Sequence, residues 1–178
     1  MTSLEPTPSQ TIGPFYGYAL PFAGGGDIAP AGHPDTITVH GCVYDGAGSP
    51  IPDALVEFWH GAPGAPGSLR HDPVSGKVVG RHGLDFTGFG RVPTDADGHY
   101  LFRTLPAPYI AVCLFARGLL HHLFTRIYLK DGDAFLEALE PDRRATLIAT
   151  RERERVYRFD IHVQGGTHEE TVFLEFPG

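Results

Sequence analysis

Thr36-Ile37-Thr38-Val39-His40-Gly41-Cys42-Val43-Tyr44 decides the fold. Ile37, Val39, Gly41 and Val43 fall on one side of this stretch, and Thr38, His40, Cys42 and Tyr44 on the other. A period of two belongs to a strand with one face in a core, because successive Cβ atoms alternate across the pleat. Outward from it, Asp45-Gly46-Ala47-Gly48 reads as a turn and ALVEFWH (54–60) as the next strand. Thr94-Asp95-Ala96-Asp97-Gly98 is rich in residues that bond their own backbone, and it leads into the strand HYLFRTL (99–105). YIAVCLFA (109–116) and HLFTRIYL (122–129) are further strands, and 156–163 and 170–176 close the chain on either side of Gln164-Gly165-Gly166-Thr167. Residues 133–139 and 142–151 read as helices, the second with Leu147, Ile148 and Arg151 on one face.

About seven turn-delimited strands, with no regular alternation of strand and helix, predict an all-β domain. The expected architecture is an antiparallel β-sandwich with short helices and an extended N-terminal arm. Residues 1–178 form one domain, in which 1–35 supply the arm and loops. Residues 61–93 show little periodicity and read as a long loop, a feature that is often functional. Trp59, Phe102 and Phe115 are assigned to the core.

The chain has 178 residues, with 14 Lys plus Arg against 21 Asp plus Glu, a formal net charge of −7. An acidic balance with no basic stripe speaks against a nucleic-acid partner and is what solubility requires. Cys42 and Cys113 each sit in an apolar stretch and are expected as buried free thiols. No signal-like start and no apolar run of about 18 residues occurs, which predicts a cytoplasmic protein without a membrane span.

Ten histidines raise the question of a metal, and their spacing answers it. His121 and His122 are adjacent, and His60, His71, His82 and His99 are scattered, with no His-x-His or His-x-x-x-His pair. Solvent-facing histidines are the expectation. Nor is there a Gly-x-Ser-x-Gly elbow, and Gly24-Gly25-Gly26 precedes no strand-to-helix step. Read alone, the sequence holds no self-sufficient active site.

Several stretches are nevertheless recognisable: the arm TPSQTIGPFY (7–16), TDADGHYLFRTL (94–105), LFARGLLHHLFTRIYL (114–129), RRATLIATR (143–151), and YRFDIHVQGG with ETVFLEF at the end. In this order they resemble the α chains of intradiol ring-cleaving dioxygenases, a family of β-sandwiches. The resemblance implies an α subunit that pairs with a catalytic β subunit in a higher αβ oligomer. The implied reaction is O2-dependent cleavage of protocatechuate to 3-carboxy-cis,cis-muconate. Fe(III), held in the family by two tyrosinates and a His-x-His pair, would be bound by the β subunit. Here Ala107-Pro108-Tyr109-Ile110-Ala111 stands at that place, with Tyr109 and Ala111 at the histidine positions or Tyr109 at a ligand tyrosine. No His-x-His follows on either alignment.

The resemblance also implies that the arm lines the partner's substrate pocket through Thr11, Gly13 and Pro14, with Phe15 or Tyr16 next. Arg126 would add positive charge for the substrate carboxylate. Without the resemblance, the arm is a plain turn and Arg126 a surface residue. The rival reading is a transthyretin-like sandwich that only binds or assembles. A self-sufficient intradiol enzyme is disfavoured by the missing histidine pair.

Overall fold

The computed structural model describes residues 11, 13, 15–60, 69–81, 86–165 and 169–176. Two sheets face each other. The first contains β1 (Ile37–Tyr44), β6 (His99–Thr104), β9 (Thr150–Arg153), β10 (Val156–Arg158) and β11 (Ile161–His162). The second runs β5 (Phe89–Pro93), β2 (Leu55–Trp59), β7 (Ile110–Phe115), β8 (Leu123–Ile127). A hairpin of β3 (Leu69–His71) and β4 (Val78–Arg81) stands beside them.

The alternation read in residues 37–44 is realised residue by residue: Ile37, Val39, Gly41 and Val43 are buried and their neighbours half-buried. They meet Val56 and Phe58 of β2, Tyr100 and Phe102 of β6, and Val112 and Leu114 of β7 in one core. Phe58 stacks on Phe102 across the sandwich with ring centroids 3.7 Å apart. A smaller core under the helices holds Tyr128, Leu136, Leu147 and Val172.

The sandwich is antiparallel except at β1, which pairs parallel with β10 and then with β11. The run expected as one strand over 156–163 breaks at Phe159-Asp160, where the Asp160 carboxylate accepts the Cys42 amide at 2.9 Å. Gly41 makes this crossing possible: a Cβ there would lie 1.8 Å from the Phe159 carbonyl oxygen.

Several sequence expectations need correction. The helix expected over 142–151 is only α3 (Pro141–Ala145), because Tyr128 draws the following residues into a bridge with the Leu147 carbonyl and the Ala149 amide. Its predecessor α2 (Ala134–Glu137) is as short, capped by Asp133, which accepts the Phe135 amide at 2.9 Å. Residues 170–176 form no strand, only a bridge between Leu174 and Phe124. The long loop over 61–93 contains β3, β4 and β5 in its described part. Finally, Trp59 is 48% exposed rather than core, Phe115 is half-buried, and the two free cysteines are half-buried rather than buried. Phe102 is fully buried, as read. No helix among the described residues is long and apolar enough to cross a membrane.

Candidate functional site

Register places four residues on one rung across the outer face of the second sheet. Phe89 of β5 pairs with Trp59 of β2, Trp59 with Ala111 of β7, and Ala111 with Arg126 of β8. Strand parity explains why they point outward: Val56 and Phe58 go to the core, so Glu57 and Trp59 cannot. The next rung holds Arg91, Glu57, Cys113 and Phe124. Arg91 donates from Nε to Glu57 Oε1 at 2.7 Å, and this pair is the face's internal charge neutralisation. Burial, with the Glu57 charge second, pushes the Cys113 thiol up to about 12, so it stays protonated and unreactive at neutral pH.

Arg126 is half-buried among aromatic rings. Its guanidinium carbon lies 4.3 Å from the centroid of Tyr109 and 5.2 Å from that of Phe135. Nη1 donates to the Tyr128 hydroxyl at 3.2 Å, and that hydroxyl donates on to Asp133 Oδ1 at 3.4 Å. Burial of Tyr128 raises its phenol pKa, opposed by the Arg126 hydrogen bond, so the hydroxyl remains a neutral relay. Among the described residues no carboxylate forms an ion pair with Arg126. Aromatic faces orient the cation without neutralising it, and that leaves its remaining N–H donors available to an anion.

The arm is anchored at the other end of this sheet. α1 (Tyr16–Ala19) carries Tyr16, which is 5% exposed and donates its hydroxyl to the Asp53 carbonyl. Burial raises its pKa, with Asp53 second. Asp53 in turn ion-pairs with Arg117, just beyond the end of β7. From Ala111 to Arg117 is six residues of strand-like chain, about 20 Å at 3.3 Å each. Within one chain the Tyr16 anchor and Arg126 therefore lie toward opposite ends of β7.

Of the arm residues singled out by the sequence, Tyr16 is the anchor and Phe15 is 76% exposed beside it. Thr11 is exposed, and Gly13 is half-buried with φ +74°, a conformation that favours glycine. Pro14 lies outside the described residues. Sequence reading missed Trp59 and Phe89 as site residues. The signal for Trp59 was present: it stands two residues from Glu57, so period two puts it on the polar side of its strand.

As a seat for ferric iron this rung does not fit. The two positions where the resemblance places histidines hold Tyr109, stacked against a guanidinium, and Ala111, which has no donor atom. Fe(III) needs anionic and imidazole donors converging on a point, and a fixed cation beside them works against it. Among the described residues no three His, Cys, Asp or Glu side chains converge on a possible ion.

Comparison with known proteins bears on what this face serves. The profile of the Dioxygenase family matches residues 13–114. The chain is 37% identical to the protocatechuate 3,4-dioxygenase alpha chain of Burkholderia cepacia, over 98% of this chain and 100% of that one. It is 34% identical to the alpha chain of the same name from Pseudomonas putida, over 97% and 98%. Among solved structures, it superposes on the dioxygenase domain of a dioxygenase–carbohydrate-binding fusion from Streptomyces sp. SirexAA-E with a TM-score of 0.54 at 24% identity. That match covers 91% of this chain and 100% of the domain, and it shows a shared fold.

Proposed function

The chain belongs to the intradiol ring-cleaving dioxygenase family, and from that premise we propose that it is the supporting α subunit of a heteromeric enzyme acting on protocatechuate. The enzyme inserts both atoms of O2 between the two hydroxylated ring carbons and releases 3-carboxy-cis,cis-muconate. Fe(III), assigned to the catalytic β subunit, would supply Lewis-acid chemistry there. The observation that carries the reading is the occupation of the metal-bearing strand: where the resemblance calls for two histidines, this chain has a tyrosine under a guanidinium and an alanine. A chain with that exchange serves the reaction by shape and charge.

Arg126 supplies the charge. A half-buried guanidinium held by Tyr109, Phe135 and Tyr128 is preorganised for the substrate carboxylate, and it costs little entropy to use. The arm supplies shape. Tyr16 is fixed in the sandwich with Phe15 projecting beside it, and the arm residues named from the resemblance, Thr11, Gly13 and Pro14, are assigned to the lining of the partner's pocket. Trp59 and Phe89 of the outer face, backed by Phe22, which stacks on Phe89, form the apolar part of the subunit contact. Free cysteines suit the reducing cytoplasm.

The test is metal content and protocatechuate-dependent O2 uptake, for the chain alone and co-expressed with its β partner. The expected result is an iron-free, inactive chain that becomes part of an iron-containing, active complex. Stoichiometric iron with turnover from the isolated chain would overturn the assignment.

A further inference from the structure

The outer face of the first sheet carries a pair of histidines that no sequence spacing announces, since 59 residues separate them. His40 of β1 and His99 of β6 both point outward, and their inner nitrogens are joined by a ring-to-ring hydrogen bond, His99 Nε2 to His40 Nδ1 at 3.3 Å. Each outer nitrogen turns to a carboxylate. His40 Nε2 lies 2.9 Å from Glu152 Oε2, and His99 Nδ1 lies 3.9 Å from Asp95 Oδ2.

Neither carboxylate is there by accident of the surface. Glu152 sits where the β9–β10 register slips, with Arg153 paired to Val156 and Arg151 to the adjacent Tyr157. The slip leaves Glu152 as the extra residue of a bulge, a device that re-aims a side chain, here over β10 toward β1. Asp95 is held by its own turn, its Oδ1 accepting the amides of Asp97 and His99 at 2.9 Å. That leaves Oδ2 directed at the His99 ring.

We propose that His40 and His99 form a site for one divalent transition-metal cation of the Zn2+ or Ni2+ class, with Glu152 and Asp95 behind them. Two imidazole nitrogens bound tetrahedrally at about 2.0–2.1 Å lie roughly 3.3–3.4 Å apart, which is the spacing found. A carboxylate on the outer nitrogen is the usual companion of a metal-binding histidine, because it fixes the tautomer and raises the basicity of the inner nitrogen. The Glu152 contact makes Nε2 the protonated nitrogen of His40, so Nδ1 presents its lone pair. A bound ion takes the place of the proton that His99 Nε2 donates to this lone pair, with His99 then protonated on Nδ1, the nitrogen that faces Asp95. Water fills the remaining positions on this half-exposed face.

The nearby charges permit it. Arg158, the β10 partner of His40, is neutralised by Asp160 at 2.9 Å, so Glu152 and Asp95 are the charges that act on the pair. The donor set has no tyrosinate and only imidazole as direct ligand, which suits borderline divalent ions rather than Mg2+, Ca2+ or ferric iron. The bound ion is structural: it ties β6 to β1 and, through Glu152, to β9 at the edge of the sheet.

The experiment is calorimetric titration of the chelator-stripped full chain with Zn2+ at neutral pH, with thermal midpoint as second readout. The expected result is one saturable site per chain and a raised midpoint, with affinity at least tenfold lower in His40→Ala and in His99→Ala. Glu152→Gln keeps both imidazoles and loses about tenfold, the outer-shell effect. The control His121→Ala/His122→Ala stays within twofold of wild type. All four variants change half-exposed or exposed side chains, so their metal-free midpoints are expected to match wild type. Absence of a saturable site in the wild type would overturn the proposal. So would full retention in both single histidine variants, or loss in Cys42→Ser with retention in the histidine variants, which would assign the ion to the thiol.

Discussion

The two outer faces of the sandwich solve the same problem in opposite ways. On the first sheet, the outward residues of β1 and β6 are Thr38, His40, Cys42, Tyr44, His99, Leu101 and Arg103, and most are tied into local polar contacts. On the second, Phe89, Trp59, Phe115 and Phe124, with Ala111 between them, form an apolar, largely aromatic field broken by one ion pair and by Arg126. A face that satisfies its own polar groups is finished in water. A face that leaves large rings half exposed gains by being covered, and monomeric soluble proteins rarely leave a large apolar field uncovered.

The sharpest way to break this comparison uses two residues of nearly equal exposure, Trp59 at 48% and Leu101 at 43%, one on each face. Trp59→Glu is expected to weaken assembly with the β subunit by roughly 30-fold or more, the scale of a buried aromatic anchor of at least about 2 kcal/mol. Leu101→Glu should leave assembly within twofold. The measurement is co-purification and analytical ultracentrifugation of the paired chains. Equal behaviour of the two variants would erase the distinction between the faces.

His60 tests what holds the faces back to back. It is 5% exposed at the end of β2, and its Nε2 meets the Thr104 hydroxyl of β6 across the sandwich at 2.5 Å. Burial lowers its pKa to about 4, against an ordinary value of 6.5. The unfolded chain therefore takes up a proton between pH 6.5 and 4 that the folded chain refuses. Stability from this group is complete above pH 6.5, falls as the pH drops toward 4, and changes no further below. The integrated loss is about 3 kcal/mol at 1.36 kcal/mol per pH unit. Urea midpoints from pH 7 to 4 should follow this slope, and His60→Gln should flatten it.

Much of the fold was legible because burial obeys strand parity: residues 37–44 read out their own buried face, and 99–105 and 109–116 read as strands. The terminal elements were not, because their reasons are tertiary. Leu147 and Ile148 carry helical spacing, yet Tyr128 claims the backbone on both sides of Ile148. At the candidate site, Arg126 was singled out through resemblance alone, while the Tyr109 and Phe135 rings around it were not, since those residues lie 17 and 9 positions away on different elements. Trp59 was misplaced because large aromatics are usually core, a habit that parity with Glu57 should have overruled.

Arg126 sharpens the comparison at its one cationic point. Arg126→Ala in the assembled enzyme is expected to raise KM for protocatechuate by roughly tenfold, the worth of one charge-assisted hydrogen bond of about 1.5 kcal/mol. Turnover of uncharged catechol should change by less than twofold. Arg126→Lys keeps the charge but loses the planar stack on Tyr109, so it should recover only part of the loss. Equal effects on both substrates would remove the role of charge.

The smallest effect uses the one cysteine that each face carries. Cys42 lies on the first sheet and Cys113 on the second, both half-buried and both free. With its thiol pushed up to about 12, Cys113 offers an alkylating reagent almost no thiolate below pH 9. Its labelling by iodoacetamide, followed by peptide mass spectrometry, should therefore be slow in the isolated chain and, on the proposed contact, slower again in the αβ complex. Assembly should leave the rate at Cys42 unchanged. Protection of Cys42 on assembly, with no change at Cys113, would put the partner on the first sheet and reverse the roles given to the two faces.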